Sequence, residues 1–276
     1  MRIDSHQHFW HYDPSEHVWM TDAMGSLKRD FLPADLEPLL EKNGLGGTVA
    51  VQARQSLEET EWLLDLADRH EFIKGVVGWV DLRSPTVDAV LEQLAAHPKL
   101  KGIRHVVHDE ADDRFMMQPA FLDGIGLLAE FDLVYDLLLF PRHLPVAVDV
   151  VGRFPKVRFV LDHLAKPDIK NADFGEWQRG VDQLGRFRNV WCKLSGMVTE
   201  ADWTGWTQED MVPAMEGVFN AFGSERIMFG SDWPVCTLAA RYDEVLRIVT
   251  GYIESLPAER QESILGLCAA RVYRID

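Results

Sequence analysis

The chain has 276 residues, 47% of them hydrophobic, enough to bury a full core in one barrel-sized domain or two small ones. Its formal charge of -16 excludes a protein that tracks nucleic acid or anionic lipid, because both need clustered Lys and Arg. Cys192, Cys236 and Cys268 are odd in number and form no CxxC pair, so neither a disulfide framework nor a cysteine zinc site is expected. No cationic leader precedes an apolar core, and no apolar run approaches the roughly 18 residues of a membrane span, so a cytoplasmic protein is expected.

The chain opens on MRIDSHQHFW. In an extended strand, side chains alternate faces, so His6 and His8 project the same way with Gln7 opposite, two imidazoles sharing one small space. Residues 10–31 form a polar, aromatic-rich stretch that reads as a long loop, and loops of this length in compact domains tend to be functional, as a lid or substrate wall. Pro33 then opens a helical pattern through Leu36, Leu39 and Leu40, closed by Asn43-Gly44.

A strand–helix rhythm follows. GTVAVQA from Gly47 is a short β-branched run, and Leu57, Leu63, Leu64 and Leu66 mark the amphipathic helix after it. FIKGVVGWVDL is the third strand, and Ser84-Pro85 opens a helix whose Val87, Val90, Leu91 and Leu94 share one face. LKGIRHVVH precedes a helix from about Pro119 to Glu130, and LVYDLLLF precedes one beginning near Arg142. VRFVLDH leads to a helix around Phe174 to Phe187, NVWCKLSG to one around Gln208 to Phe222, and RIMFGSDWP to two helical patterns from Ala239 and from Pro257.

Eight strands, each followed by a helix at spacings of about thirty residues, predict a parallel sheet. The length points to a single (β/α)8 barrel, residues 1–276, with an open doubly wound sheet as runner-up; no glycine-rich phosphate fingerprint follows the first strand. In a barrel, function gathers where strands end. His6 and His8, Gln52 and Arg54, Trp79 and Asp81, Arg104, His105 and His108, Asp136, His163, Lys193 and Ser195, and Asp232 all fall at that end.

His6, His8 and His163 can converge with Asp232, because the first and eighth strands of a closed barrel are neighbours. Three nitrogens and a carboxylate suit one divalent ion, zinc by ligand type, bound tetrahedrally; alternatively, the histidines hold it while Asp232 takes a proton from an attacking water.

The HQH opening, LDHLAKP from Leu161 to Pro167 and FGSDWP from Phe229 to Pro234 resemble the amidohydrolase superfamily, specifically its amidohydrolase-2 group, over nearly the whole chain. IDSHQHFW and KGIRHV look most like its sugar lactonases, which open aldonolactones such as L-fucono-1,5-lactone and L-rhamnono-lactone. The resemblance implies a distorted amidohydrolase barrel with His6, His8 and His163 in ligand positions and Asp232 as general base. It departs from the paired-metal members, which carry a carboxylated Lys or a Glu on the fourth strand and a His on the fifth; here those strands end in Arg104-His105 and Asp136, so one zinc or none is expected.

Hydrolysis of a sugar lactone is therefore the expected activity, with the histidine cluster, with or without zinc, polarising the carbonyl. Arg104, His105, His108, Arg54 and Trp233 are expected to bind substrate, with Asp81 and Lys193 as weaker candidates. No GxSxG elbow is present to support a serine route. The alternatives are a pyrone dicarboxylate lactonase or metal-dependent decarboxylase on the same scaffold, for which Arg54 and Arg104 could grip a dicarboxylate, and a non-catalytic ligand binder.

Overall fold

The computed structural model describes residues 1–276. Eight parallel strands run in sequence order around a barrel: β1 (Ile3–Gln7), β2 (Gly47–Val51), β3 (Ile73–Gly78), β4 (Leu100–His105), β5 (Val134–Leu137), β6 (Arg158–Leu161), β7 (Val190–Leu194) and β8 (Ile227–Phe229). Between and after them lie α1 (Pro33–Lys42), α2 (Leu57–Arg69), α3 (Val87–Ala95), α4 (Pro119–Leu127), α5 (Leu144–Arg153), α6 (Gly175–Gly185), α7 (Gln208–Phe222) and α8 (Tyr242–Tyr252). This is the (β/α)8 barrel that the alternation implies, and the open-sheet alternative falls away.

Local chemistry explains the boundaries. The Ser56 side chain accepts the Glu59 N–H at the start of α2, whose first turn is acidic and whose last turn carries Arg69. Pro33 sits at the first position of α1, and Gly44 takes the positive φ that turns the chain out of it. Three helices end earlier or start later than their apolar patterns suggest: α4 stops at Leu127, α6 spans Gly175–Gly185 and α8 begins at Tyr242. The outlying apolar residues pack against the core from turns, a use that periodicity does not separate from helix.

The barrel is closed by few bonds. β8 is three residues long and makes no ladder with β1; instead Asp232 N–H donates to the His6 carbonyl at 2.8 Å and His8 N–H to the Trp233 carbonyl at 2.7 Å. Asp4 clamps the same seam, accepting from Ser231 N and Oγ and from the Tyr242 hydroxyl. Gly230 is required there, since a Cβ would lie 2.8 Å from the His6 Cβ.

The other end is plugged from below. The last helical pattern divides into α9 (Ala258–Glu262), a π turn (Ser263–Leu267) and α10 (Cys268–Tyr273). Cys268, Ala269, Val272 and Tyr273 pack beneath the inward residues Ile3, Val49, Val77, Val134, Val160 and Met228. Residues 10–31 fold over the opposite mouth, pinned at their base by paired 3.0 Å hydrogen bonds between Trp10 and Phe31. No helix is long and apolar enough to cross a membrane.

Candidate active site

His6 and His8 lie at the end of β1, both buried, with their Nε2 atoms 3.2 Å apart. The His8 Nδ1 faces the Val51 carbonyl at 2.8 Å; a carbonyl only accepts, so Nδ1 carries the proton and the Nε2 lone pair faces the site. Asp232 arrives from the turn after β8. Its Oδ1 stands 3.4 Å from His8 Nε2, 3.8 Å from His163 Nε2 and 3.9 Å from His6 Nε2. Burial pushes the imidazoles of His6 and His163 well below their ordinary range, so both rings are neutral beside that carboxylate.

His163 is delivered by an unusual backbone. His163, Leu164, Ala165 and Lys166 all hold positive φ, four successive left-handed residues without a glycine. Each such residue costs roughly 1–2 kcal/mol, and strain of this kind clusters at functional sites. The turn is held by Trp177, whose Nε1–H donates to the Leu164 carbonyl, and the His163 Nδ1 lies 2.8 Å from Ser195 Oγ. Gly196 at φ 64 leaves room for the His163 ring; a Cβ there would lie 2.7 Å from Nδ1.

Beneath the histidines lies a buried layer of charge. Arg104 donates to both Gln52 oxygens through Nε and Nη2, and its Nη1 lies 3.0 Å from Asp162 Oδ2 and 3.2 Å from His6 Nε2. The Lys193 ammonium is 2.6 Å from Asp136 Oδ2, 2.9 Å from Asp162 Oδ1 and 3.1 Å from His6 Nδ1. Burial pushes the Asp162 carboxyl up, but Lys193, His6 and Arg104 override it and hold the group well below the usual carboxylate range. From below, the Tyr273 hydroxyl donates to Asp136 at 2.8 Å.

Above this layer opens a cavity of about 450 Å³ lined by His8, His163 and Asp232 together with Arg54, Arg104 and His108. Two of the expected substrate-binding residues do not reach it. Alternation along β4 turns Arg104 inward and His105 outward, where His105 stacks on Phe115 at 4.7 Å and meets Glu110 at 2.7 Å. Trp233 is buried in the core against Phe9 and Phe31. Asp81 pairs with Arg83 on the exposed rim, and Lys193 lies in the barrel interior, below the cavity.

Other lining groups lie outside the set expected from the sequence. Trp10, Glu16, Trp19 and Met24 come from the 10–31 loop, making it a wall of the pocket; Phe140, Lys166, Glu200 and Trp203 form the facing side. Lys166 is part of LDHLAKP, and only the left-handed turn reveals that it points into the same space as His163.

The donors fit a single metal ion. Zinc bound at about 2.0–2.1 Å in a tetrahedron sets its ligand atoms about 3.3–3.4 Å apart; among His6, His8 and Asp232 two edges, 3.2 and 3.4 Å, are close to this and the third, His6 to Asp232, is longer at 3.9 Å. Two neutral imidazoles and a carboxylate are also the ligand chemistry zinc favours. Behind them, Asp162 Oδ1 is buried with the Lys193 ammonium at 2.9 Å and faces His6 Nδ1 at 3.3 Å.

The family model described as Amidohydrolase matches residues 3–275. The chain belongs to this amidohydrolase family. It is 42% identical to an L-fucono-1,5-lactonase of Burkholderia multivorans, an alignment covering 100% of this chain and 96% of that one. It is 40% identical to an L-fucono-1,5-lactonase of Burkholderia ambifaria, with the same coverage. Among solved structures, an amidohydrolase from Burkholderia multivorans crystallised with bound zinc superposes at TM-score 0.96, 41% identical with 100% of both chains covered. A probable 2-pyrone-4,6-dicarboxylic acid hydrolase from Acinetobacter baumannii, at 16% identity and TM-score 0.80 over 99% of each chain, shares the amidohydrolase fold and no more.

Proposed function

We propose that this amidohydrolase hydrolyses a neutral sugar lactone of the L-fucono-1,5-lactone type to the aldonic acid. The observation that carries the reading is Asp232 Oδ1 ringed by three imidazoles at 3.4–3.9 Å on the floor of a sugar-sized cavity. The two lactonases at 40–42% identity over the full chain support the same substrate class.

Asp232 is the general base. It accepts a proton from water as the oxygen attacks the lactone carbonyl, and returns it to the ring oxygen as the C–O bond breaks. Arg104, its N–H groups engaged by Gln52, Asp162 and His6, brings fixed positive charge to the cavity floor beside His163, where negative charge would develop on the carbonyl oxygen. The residues that would hold zinc are His6, His8 and Asp232, with His163 beside them, and a bound ion would supply Lewis-acid polarisation and a lower water pKa. Arg54, His108, Lys166 and Glu200 line the walls where ring hydroxyls would lie.

Charge pairing favours a neutral substrate over a dicarboxylate. Arg54 is tied to Glu16 and Glu59, Arg104 to Asp162, and Lys166 to Glu200, so the pocket offers no pair of unengaged cations. The test is acid release over aldono-1,5- and 1,4-lactones of fuco, rhamno, galacto and arabino configuration, followed with a pH indicator. Turnover of one configuration, lost in Asp232→Asn, is expected; silence across the panel would sink the reading.

A further inference from the structure

His105 points away from the cavity, and nothing in the chemistry described above uses it. It is nevertheless 2% exposed with both ring nitrogens engaged. Trp79 Nε1–H donates to Nδ1 at 3.2 Å, so the proton lies on Nε2, which donates to Glu110 Oε1 at 2.7 Å. The ring stacks on Phe115, and Phe121 meets it edge-on at 5.6 Å. Glu110 and Phe115 both belong to the segment 106–118 that joins β4 to α4, so one side chain of the strand gathers the connection that follows it.

Between β4 and Glu110 this segment makes a single tight turn, Val107–Asp109, closed by Glu110 N–H to the Val107 carbonyl at 3.1 Å. His108 and Asp109 of the turn line the cavity. No side chain outside the turn bonds to the His108 ring: Nδ1 has no hydrogen-bond partner, Nε2 approaches Asp109 at 3.3 Å, and the ring stacks on Phe140 at 4.9 Å. The place of His108 is therefore set by the backbone that carries it. Three bonds hold that backbone: Val106 N–H to Gln55 Oε1 at 2.9 Å, Arg142 Nη2–H to the His108 carbonyl at 3.2 Å, and Glu110 to His105. Gln55 is neutral and the Arg142 side chain is 48% exposed, whereas the Glu110 carboxylate meets a donor that is 3% exposed, at the shortest of the three distances.

We propose that His105 is a positioning residue: without touching substrate, it grips Glu110 and Phe115 so that the turn before them presents His108 to the substrate's ring hydroxyls. Arg104-His105 then serves both sides of β4, the first residue facing the cavity floor and the second fixing the wall above it. The assignment rests on the cavity's being the lactone site and adds the means by which one wall of it is held.

Glu110 is the residue to alter, since it is partly exposed and its loss leaves the His105 ring in its stack. Two readouts are taken on the full chain. In hydrogen exchange followed by mass spectrometry, Glu110→Ala is expected to exchange residues 106–109 about tenfold faster than wild type, and Glu110→Gln, which keeps an oxygen for the Nε2–H, to stay within about twofold. In kinetics on the preferred lactone, Glu110→Ala is expected to raise KM about tenfold with kcat changed less than about threefold, Glu110→Gln to restore most of the loss, and His108→Ala to match Glu110→Ala. Combined in one chain, Glu110→Ala and His108→Ala are expected not to add, because both act through one ring. Unchanged exchange in Glu110→Ala, or additive effects on KM, overturns the proposal. A wild type silent on every lactone sinks the substrate reading, and the exchange comparison still decides whether His105 and Glu110 hold the turn.

Discussion

Asp232 Oδ1 lies 3.4 Å from the Nε2 of His8, joining the two ends of the barrel sheet at one point. The contact depends on two backbone bonds across the seam, Asp232 N–H to the His6 carbonyl and His8 N–H to the Trp233 carbonyl. Asp232→Asn keeps the shape and removes the carboxylate proposed as the general base. Its kcat is expected to fall by about 10²–10⁴-fold with KM little changed, the signature of a group acting only in the transition state. Steady-state kinetics on the preferred lactone check this.

Lys166 reaches the cavity wall beside its partner Glu200 at 2.6 Å. Lys166→Met is expected to raise KM by about tenfold with a smaller change in kcat, because lost uniform binding leaves the chemical step untouched. A fall in kcat at constant KM would instead give Lys166 a part in the reaction.

Glu59, buried at the start of α2, accepts the backbone N–H groups of Ala53 and Arg54 at 3.1 and 2.7 Å. Burial outweighs these bonds and pushes its carboxyl up to about 7, against an ordinary 4.5. The folded chain therefore holds this proton more tightly than the unfolded chain, and ionisation disfavours folding. Relative to Glu59→Gln, the wild type is expected to lose stability as pH rises from about 4.5 to about 7, by roughly 2–3 kcal/mol in all. Urea midpoints of both proteins at about pH 5 and about pH 8 measure it; a gap independent of pH would count against the burial argument.

Gly266 in the π turn allows the plug to touch β1. A Cβ there would lie 2.4 Å from the Met1 carbonyl oxygen and 2.8 Å from the Arg2 Cα, both backbone atoms that cannot swing away. Gly266→Ala is expected to destabilise the fold by about 1–3 kcal/mol. A urea midpoint equal to wild type would show that the plug shifts freely.

Much of the architecture was legible in the letters because it rests on local rules. The β-branched runs, the helical apolar faces and Pro33 mark eight strand–helix units without any long-range information. Alternation alone puts His6 and His8 together, and applied to β4 it also separates Arg104 from His105, a distinction that treating both as lining residues overlooks. Helix ends were less legible, since Phe187 or Ala239 packs equally well from a turn.

What the sequence by itself determined is the set of elements and the strand-end position of each polar group, since periods of 2 and 3.6 are written residue by residue. Tertiary structure alone decided which of those groups meet. Closure of the seam brings Asp232 to His8, the left-handed turn aims both His163 and Lys166 into the cavity, and Trp233 turns away into the core. The plug decided the rest: Tyr273, at the far end of the chain, holds Asp136 and through it the Lys193 cation under His6. No local pattern encodes these contacts, because each depends on where the barrel closes and on what fills its floor.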